Sequence, residues 1–300
     1  MGHLVRCLAL AQELRRQTDE RIVFDIPHEH GIARHQVVAA SFGFWEGEPV
    51  RVCVQDYAGQ ERRAFAPASD HVMLVDETQG AEGPFRFGIF GKGNHNASAG
   101  LEYAIVREQF VQARARGRRL RCGVPRVLLS FGGADPADIV EAATHSLAET
   151  PYELTAVLGP AYPRFARYIE RWGNRVTVHR SQAFLSSKMA EHMASADLLL
   201  CSGGMTPLEA ACVGTPAIVI AQNDLEHARM LEWQHHWTGY YLGLWHTVRY
   251  VDVQQATVKL LADPETLDEM SRRGQALVDG RGAARVARAI LHMARANSAA

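Results

Sequence analysis

Ser202-Gly203-Gly204-Met205-Thr206-Pro207-Leu208-Glu209 brings together residue types that can hold a diphosphate. The apolar run Leu198-Leu199-Leu200 stops at this glycine pair, and a helical pattern follows it. Pro207 falls near the first turn of that helix, where a missing N–H costs nothing. Gly214 ends the helix, Thr215-Pro216 turns the chain, and Ala217 to Ile220 reads as the next buried strand. Glycines let backbone N–H groups approach a ligand, and the start of a helix adds partial positive charge. Ser202, Gly203, Gly204 and Thr206 are therefore candidates to hold a diphosphate. Glu209, three residues beyond Thr206, can share its helix face, and a carboxylate there suits the two hydroxyls of a ribose. A tight strand-to-helix turn with a solvated Glu209 is the other reading of the same residues.

A second glycine pair, Gly132-Gly133, follows the strand pattern Val127 to Ser130 and gives the same choice: approach to a phosphate, or a capped turn. Asp135, before Pro136, is a candidate cap for the helix that follows. His3 can take a proton from water near neutral pH, and Arg6 lies three residues on. By position alone these two read as a chain terminus without function. The remaining histidines show no His-Glu-x-x-His spacing. The five cysteines are scattered and show no Cys-x-x-Cys pair, so neither a zinc site nor a disulfide framework is expected.

The elements around these residues alternate. Leu4 to Arg16 reads as a helix with the apolar stripe Leu4, Leu8, Ala11 and Leu14. Strand patterns fall at 21–26, 50–54 and 71–75, and 105–116 is helical in part. The second half repeats strand and helix more clearly: strands at 127–130, 153–158 and 176–178, helices at 138–147, 162–171 and 184–195. The segment 265–296 is helical with a break at 279–282. Such alternation implies parallel sheets covered on both faces. Three hundred residues suit two domains, and the basic run Arg114 to Arg121, with Gly117 inside it and Gly123 just past it, marks a boundary near 117–124. The expected fold is α/β, with Rossmann-like domains over 1–120 and 121–300 and a ligand cleft between them. The basic run is either a solvated linker face or a patch for an anionic substrate or a membrane surface.

Composition narrows the function. With 47% hydrophobic and 22% charged residues, the chain is that of an ordinary globular protein. A formal net charge of −1 argues against a nucleic-acid partner. No apolar run reaches membrane-spanning length and no signal peptide is visible, so a cytoplasmic location is expected.

Five segments in chain order resemble one known group. The glycine-pair string resembles the nucleotide-sugar site of glycosyltransferase-B-type proteins, Gly-Gly-x-Thr-x-x-Glu-x-x-x-x-Gly-x-Pro. Gly2-His3-Leu4-Val5-Arg6, Gly100 to Phe110, Leu129 to Pro136 and Asp279 to Val286 extend the resemblance to the UDP-sugar hydrolases of pseudaminic acid biosynthesis and their spore-coat-polysaccharide relatives. The resemblance implies that His3 and Arg6 are catalytic, with His3 the general base in the loop before the first helix. It also implies UDP held by Gly132, Gly133, Ser202, Gly203, Gly204, Thr206 and Glu209, and substrate contacts from Gly2, Tyr57, Tyr103, Arg107 and Asn223. It implies no cofactor and no metal. The expected reaction releases UDP from a UDP-linked deoxy-diacetamido sugar. Transfer to an alcohol and non-catalytic binding of a nucleotide sugar are the alternatives. Two departures stand out: Asn223 is followed by Asp224 where the group tends to have Gln, and the acidic residue near Tyr57 is Asp56, displaced by one position. In the group a strand and a glycine precede the position of Gly2, so that first strand is expected to be missing from the fold of this chain.

Overall fold

A computed structural model describes residues 2–56, 68–78, 85–91, 97–118, 123–181, 187–236 and 239–296. They fall into two compact units, one made of 1–108 with 279–300 and the other of 109–278.

Unit 1 opens on α1 (Gly2–Gln17), whose Leu8, Ala11 and Leu14 are buried while Leu4 is half-buried. The helix begins two residues earlier than its apolar stripe. β1 (Val23–Phe24), α2 (Gly31–Ala39) and β2 (Gly43–Phe44) follow, and β1 pairs with β2 in parallel. β3 (Val50–Asp56), β4 (Ala68–Thr78), β5 (Phe85–Gly91) and β6 (Ala97–Ala99) form a separate parallel sheet in that order. Among the described residues β1 and β3 do not pair. The ion pairs Arg51–Glu20 at 2.6 Å and Arg21–Glu48 at 3.0 Å tie the segments that flank them. β3 is half-buried at six of its seven positions, as expected for a strand with one unpaired edge.

Unit 2 contains most of α3 (Glu108–Arg116), then β7 (Arg126–Ser130), α4 (Ile139–Leu147), β8 (Glu153–Leu158), α5 (Phe165–Trp172), β9 (Val176–Arg180), α6 (Lys188–Ser195), β10 (Leu198–Cys201), α7 (Thr206–Val213), β11 (Ala217–Ala221), α8 (Asp224–Trp233), β12 (Gly239–Leu244), α9 (Tyr250–Leu261) and α10 (Pro264–Leu277). Its six strands are all parallel, ordered β12-β11-β10-β7-β8-β9. Numbered from the start of the unit this is the doubly wound order, and strand order reverses between β7 and β10. β10 is buried at every position and β7 at all but its first, because helices cover both faces.

The last helix, α11 (Gly282–Ala296), belongs to unit 1 and packs on α1. Two of the recognised motifs meet there. The Arg285 guanidinium donates to both carboxylate oxygens of Asp279, at 2.8 and 2.6 Å, and to the Glu102 carbonyl at 2.8 Å. A Cβ on Gly282 would stand 2.1 Å from the Ala104 carbonyl oxygen, so only glycine allows this approach. The chain thus leaves unit 1 once and returns, where the sequence points to a single crossing at about residue 120.

In the described part of the basic run Arg116 is exposed, while Arg114 and Arg118 are engaged. Arg114 donates to the carbonyls of Cys212, Gln275 and Val278, and Arg118 to that of Ala196 at 2.6 Å. These carbonyls lie at or just past the ends of α7, α10 and α6, where cations are favoured.

Candidate functional site

In unit 2 three loops meet at the carboxyl end of the sheet, on both sides of the reversal. Gly132, at φ +80°, follows β7; a Cβ on it would lie 3.5 Å from the Ser202 hydroxyl oxygen in the loop after β10. The Gln222 side-chain amide, after β11, donates to the Phe131 carbonyl at 2.7 Å. Gly159, after β8, packs under the same place: a Cβ there would stand 2.2 Å from the carbonyl oxygens of both Gly132 and Gly133. Sequence reasoning misses Gly159 and Gln222, because neither lies in a glycine pair.

The amides of Gly204, Met205 and Thr206 have no hydrogen-bond partner among the described residues. Three such donors at the start of α7 can receive an anion. Gly203 differs from the expectation. Its N–H donates to Glu226 at 3.0 Å, and a Cβ on it would stand 3.0 Å from Glu226 Cβ and Met230 Cγ. This glycine lets α8 pack closely on the loop. Glu209 is 4% exposed, one turn into α7, and so not the solvated charge of the plainer reading. Asp135 caps α4, accepting the amides of Ile139 and Val140 at 3.0 and 2.9 Å. Asn223 is the N-cap of α8 and accepts the Glu226 amide at 3.0 Å.

In unit 1 His3 and Arg6 converge on Asp56, at the carboxyl end of β3. His3 Nδ1 lies 2.6 Å from Asp56 Oδ1, and Arg6 Nε donates to Asp56 Oδ2 at 2.6 Å. A second Arg6 nitrogen donates to Asp56 Oδ1. His3 sits within the first turn of α1, not in a loop before it, so His3, Arg6 and Cys7 share one helix face by their spacing of three and four. The Asp56 side chain is 1% exposed and that of Arg6 6%, while His3 is 41% exposed. Burial would raise the Asp56 carboxyl, but hydrogen bonds from Arg6 and His3 outweigh it and hold it below the usual range. Burial, reinforced by Asp56, pushes the Cys7 thiol far up, so it remains protonated. The result is an exposed imidazole steered by a buried, ionised carboxylate, an arrangement that supports a general base.

Tyr103 is half-buried with its ring 5.7 Å from that of Phe87, and Arg107 is half-buried. Gly2 begins α1. Tyr57 lies outside the described residues, and its neighbour Asp56 proves to be the organised group. Among the described residues no three His, Cys, Asp or Glu side chains cluster as a metal site would, and no helix is long and apolar enough to cross a membrane.

No protein-family model matches the chain. Among curated proteins, the spore coat polysaccharide biosynthesis protein SpsG of Bacillus subtilis is 24% identical over 214 residues, 69% of this chain and 61% of that protein. An uncharacterized protein of Methanocaldococcus jannaschii is 26% identical over 136 residues, 42% of this chain and 27% of that protein. The matches thus span less than two thirds of either relative. Among solved structures, Acinetobacter baumannii MurG superposes with a TM-score of 0.64 at 14% identity, covering 97% of this chain and 96% of that one. The fold is of the glycosyltransferase-B type, with two Rossmann-like units. The similarity to SpsG agrees with the spore-coat side of the expected resemblance and does not extend to a hydrolase.

Proposed function

We propose that this chain is a nucleotide-sugar-dependent enzyme that transfers a glycosyl group from a UDP-linked donor to a hydroxyl acceptor. The observation that carries the reading is the set of amides at Gly204, Met205 and Thr206, without hydrogen-bond partners among the described residues, at the strand-order reversal of a doubly wound sheet. Ligands of open α/β sheets bind at such reversals, and a diphosphate suits unpaired amides at a helix start. Glu209, buried on the same helix, is the candidate acceptor for ribose hydroxyls. Within unit 1, His3 on its buried partner Asp56 is the candidate base for a hydroxyl proton. The anomeric carbon–oxygen bond to the diphosphate breaks as the new glycosidic bond forms, and UDP leaves onto the α7 amides. The polysaccharide role in the name of SpsG supports an alcohol acceptor.

A second reading replaces the alcohol with water and makes the enzyme a UDP-sugar hydrolase. It is favoured by Gly2-His3-x-x-Arg6, which resembles the hydrolase branch and places His3 on Asp56. A panel of UDP-sugars, assayed for UDP release with and without acceptor alcohols, separates the two. Acceptor-dependent release with a glycosylated product supports transfer. Equal release in water alone supports hydrolysis. Binding of UDP with no turnover of any sugar removes both in favour of a binding protein.

A further inference from the structure

Glu226 occupies part of the seat that an incoming phosphate would use. It lies in the first turn of α8, where Asn223 caps the helix. Asn223-x-x-Glu226 has the spacing of a capping box, in which the glutamate reaches back to the capping residue's amide. Here it reaches further. Its Oε2 accepts the amide of Gln222 at 2.8 Å and, across the loop, that of Gly203 at 3.0 Å. A carboxylate of the chain itself therefore sits on backbone donors just past the ends of β10 and β11. The next three amides, those of Gly204, Met205 and Thr206, are the ones without hydrogen-bond partners among the described residues. Glu226 Oε1 is 3.7 Å from where a Cβ on Gly204 would stand. A diphosphate on these amides meets a second negative charge at close range.

We propose that Glu226 is a proton-linked selector for the nucleotide: ionised on the Gly203 and Gln222 amides in the free protein, it takes up one proton from solvent when a diphosphate binds beside it. The inference rests on the nucleotide-sugar reading of unit 2.

Charged and titratable groups face Glu226 from several elements. Arg229 on α8 is the cation that favours its ionised form. Cys201 at the end of β10 and Tyr241 on β12 face it; burial first, then Glu226, pushes both up, so both stay neutral. The Tyr241 hydroxyl is in turn 2.6 Å from His227 Nδ1. Glu209 on α7 adds to the upward push on Cys201. Burial outweighs Arg229 and the two amides and already raises the Glu226 carboxyl. A nearby diphosphate moves it further the same way, because a like charge disfavours ionisation. Binding must then tighten as pH falls.

The test is calorimetric titration of the full chain with UDP, and with inorganic pyrophosphate, in two buffers of different ionisation enthalpy across neutral to mildly alkaline pH. Glu226→Gln is compared with wild type, so that the ligand's own ionisation cancels. The expected result is proton uptake by wild type in excess of that by Glu226→Gln, with wild-type affinity falling as pH rises. Glu226→Gln should show a flat profile and bind UDP more tightly than wild type at the alkaline end. Glu226→Ala, which also frees both amides, should do the same if the glutamine variant folds poorly. UDP binding by wild type with no excess proton uptake, or weaker binding by both variants, overturns the selector and leaves the nucleotide reading standing. If neither wild type nor variant binds UDP or pyrophosphate, the nucleotide reading itself falls.

Discussion

His3 Nδ1 stands 2.6 Å from Asp56 Oδ1, a contact that joins the first turn of α1 to the carboxyl end of β3. The carboxylate is buried and the imidazole is half-exposed, so the fixed partner orients the one that can reach a substrate.

Asp56→Asn should lower turnover by about 10²–10⁴-fold, the range for losing a positioned base, while UDP affinity stays unchanged. The same change leaves the buried Arg6 guanidinium without its carboxylate, and breaking a buried pair costs about 3–5 kcal/mol. The pH dependence has a definite sign. The folded carboxyl is held below its unfolded value, so its stabilisation is present above about pH 4 and fades as pH falls through the folded value. Chemical denaturation of both proteins between about pH 3 and pH 7, together with kcat and UDP titration, checks all three. A parallel fall in rate and UDP affinity would make Asp56 a general structural residue.

Glu209→Gln should weaken UDP about 10- to 150-fold, the equivalent of one charge-assisted hydrogen bond at about 1.5–3 kcal/mol. Glutamine keeps the volume at a site that is 4% exposed, so the melting temperature should move little. Unchanged affinity for UDP with an unchanged melt takes Glu209 out of the site.

Gly159→Ala tests how the loop after β7, the candidate nucleotide loop, is supported. Its methyl would stand 2.2 Å from two backbone oxygens, of Gly132 and Gly133, which cannot rotate away as a side chain can. Overpacking of this kind costs about 1–3 kcal/mol or more. The variant should melt lower and bind UDP less well, because the Gly132 loop must shift. An alanine that leaves both unchanged would show that the loop has room to move.

The sequence is most legible where pattern and burial agree. The strand at 153–158 and the helix-glycine-strand string from Thr206 to Ala221 follow from apolar runs ended by glycine, and Gly214 indeed takes φ +89°. Unit 1 is less legible. β1 and β2 are two residues long, and the glycines and alanines of β5 and β6 weaken any alternating pattern. At the site, His3 and Arg6 stand out in a local motif, but their partner does not. Asp56 lies 50 residues from Arg6 in the chain, and the only signal is its place at a strand end beside the expected Tyr57. Glu226 is hidden in another way. Asn223-x-x-Glu226 is readable as a helix start, yet nothing local says that the carboxylate crosses to the Gly203 loop. Long-range pairing of single polar groups has no periodicity to read.

Asp135 gives the last test, on the loop after β7. Burial raises its carboxyl to about 6, although the Ile139 and Val140 amides pull the other way. An unfolded aspartate titrates near about 3.9. The folded protein therefore binds a proton that the unfolded chain has lost between about pH 4 and pH 6. Stability from this group is complete below that window and is lost as pH rises through it. At about 1.36 kcal/mol per unit, the ionised group costs about 3 kcal/mol at neutral pH. Asp135→Asn keeps an oxygen for one capping amide and cannot ionise. Its stability relative to wild type should rise by up to about 3 kcal/mol between about pH 4 and pH 7. Urea denaturation of both proteins at each pH measures the difference. A constant gap across the window would mean that the two amides hold Asp135 ionised throughout, and that its cap is a fixed negative charge.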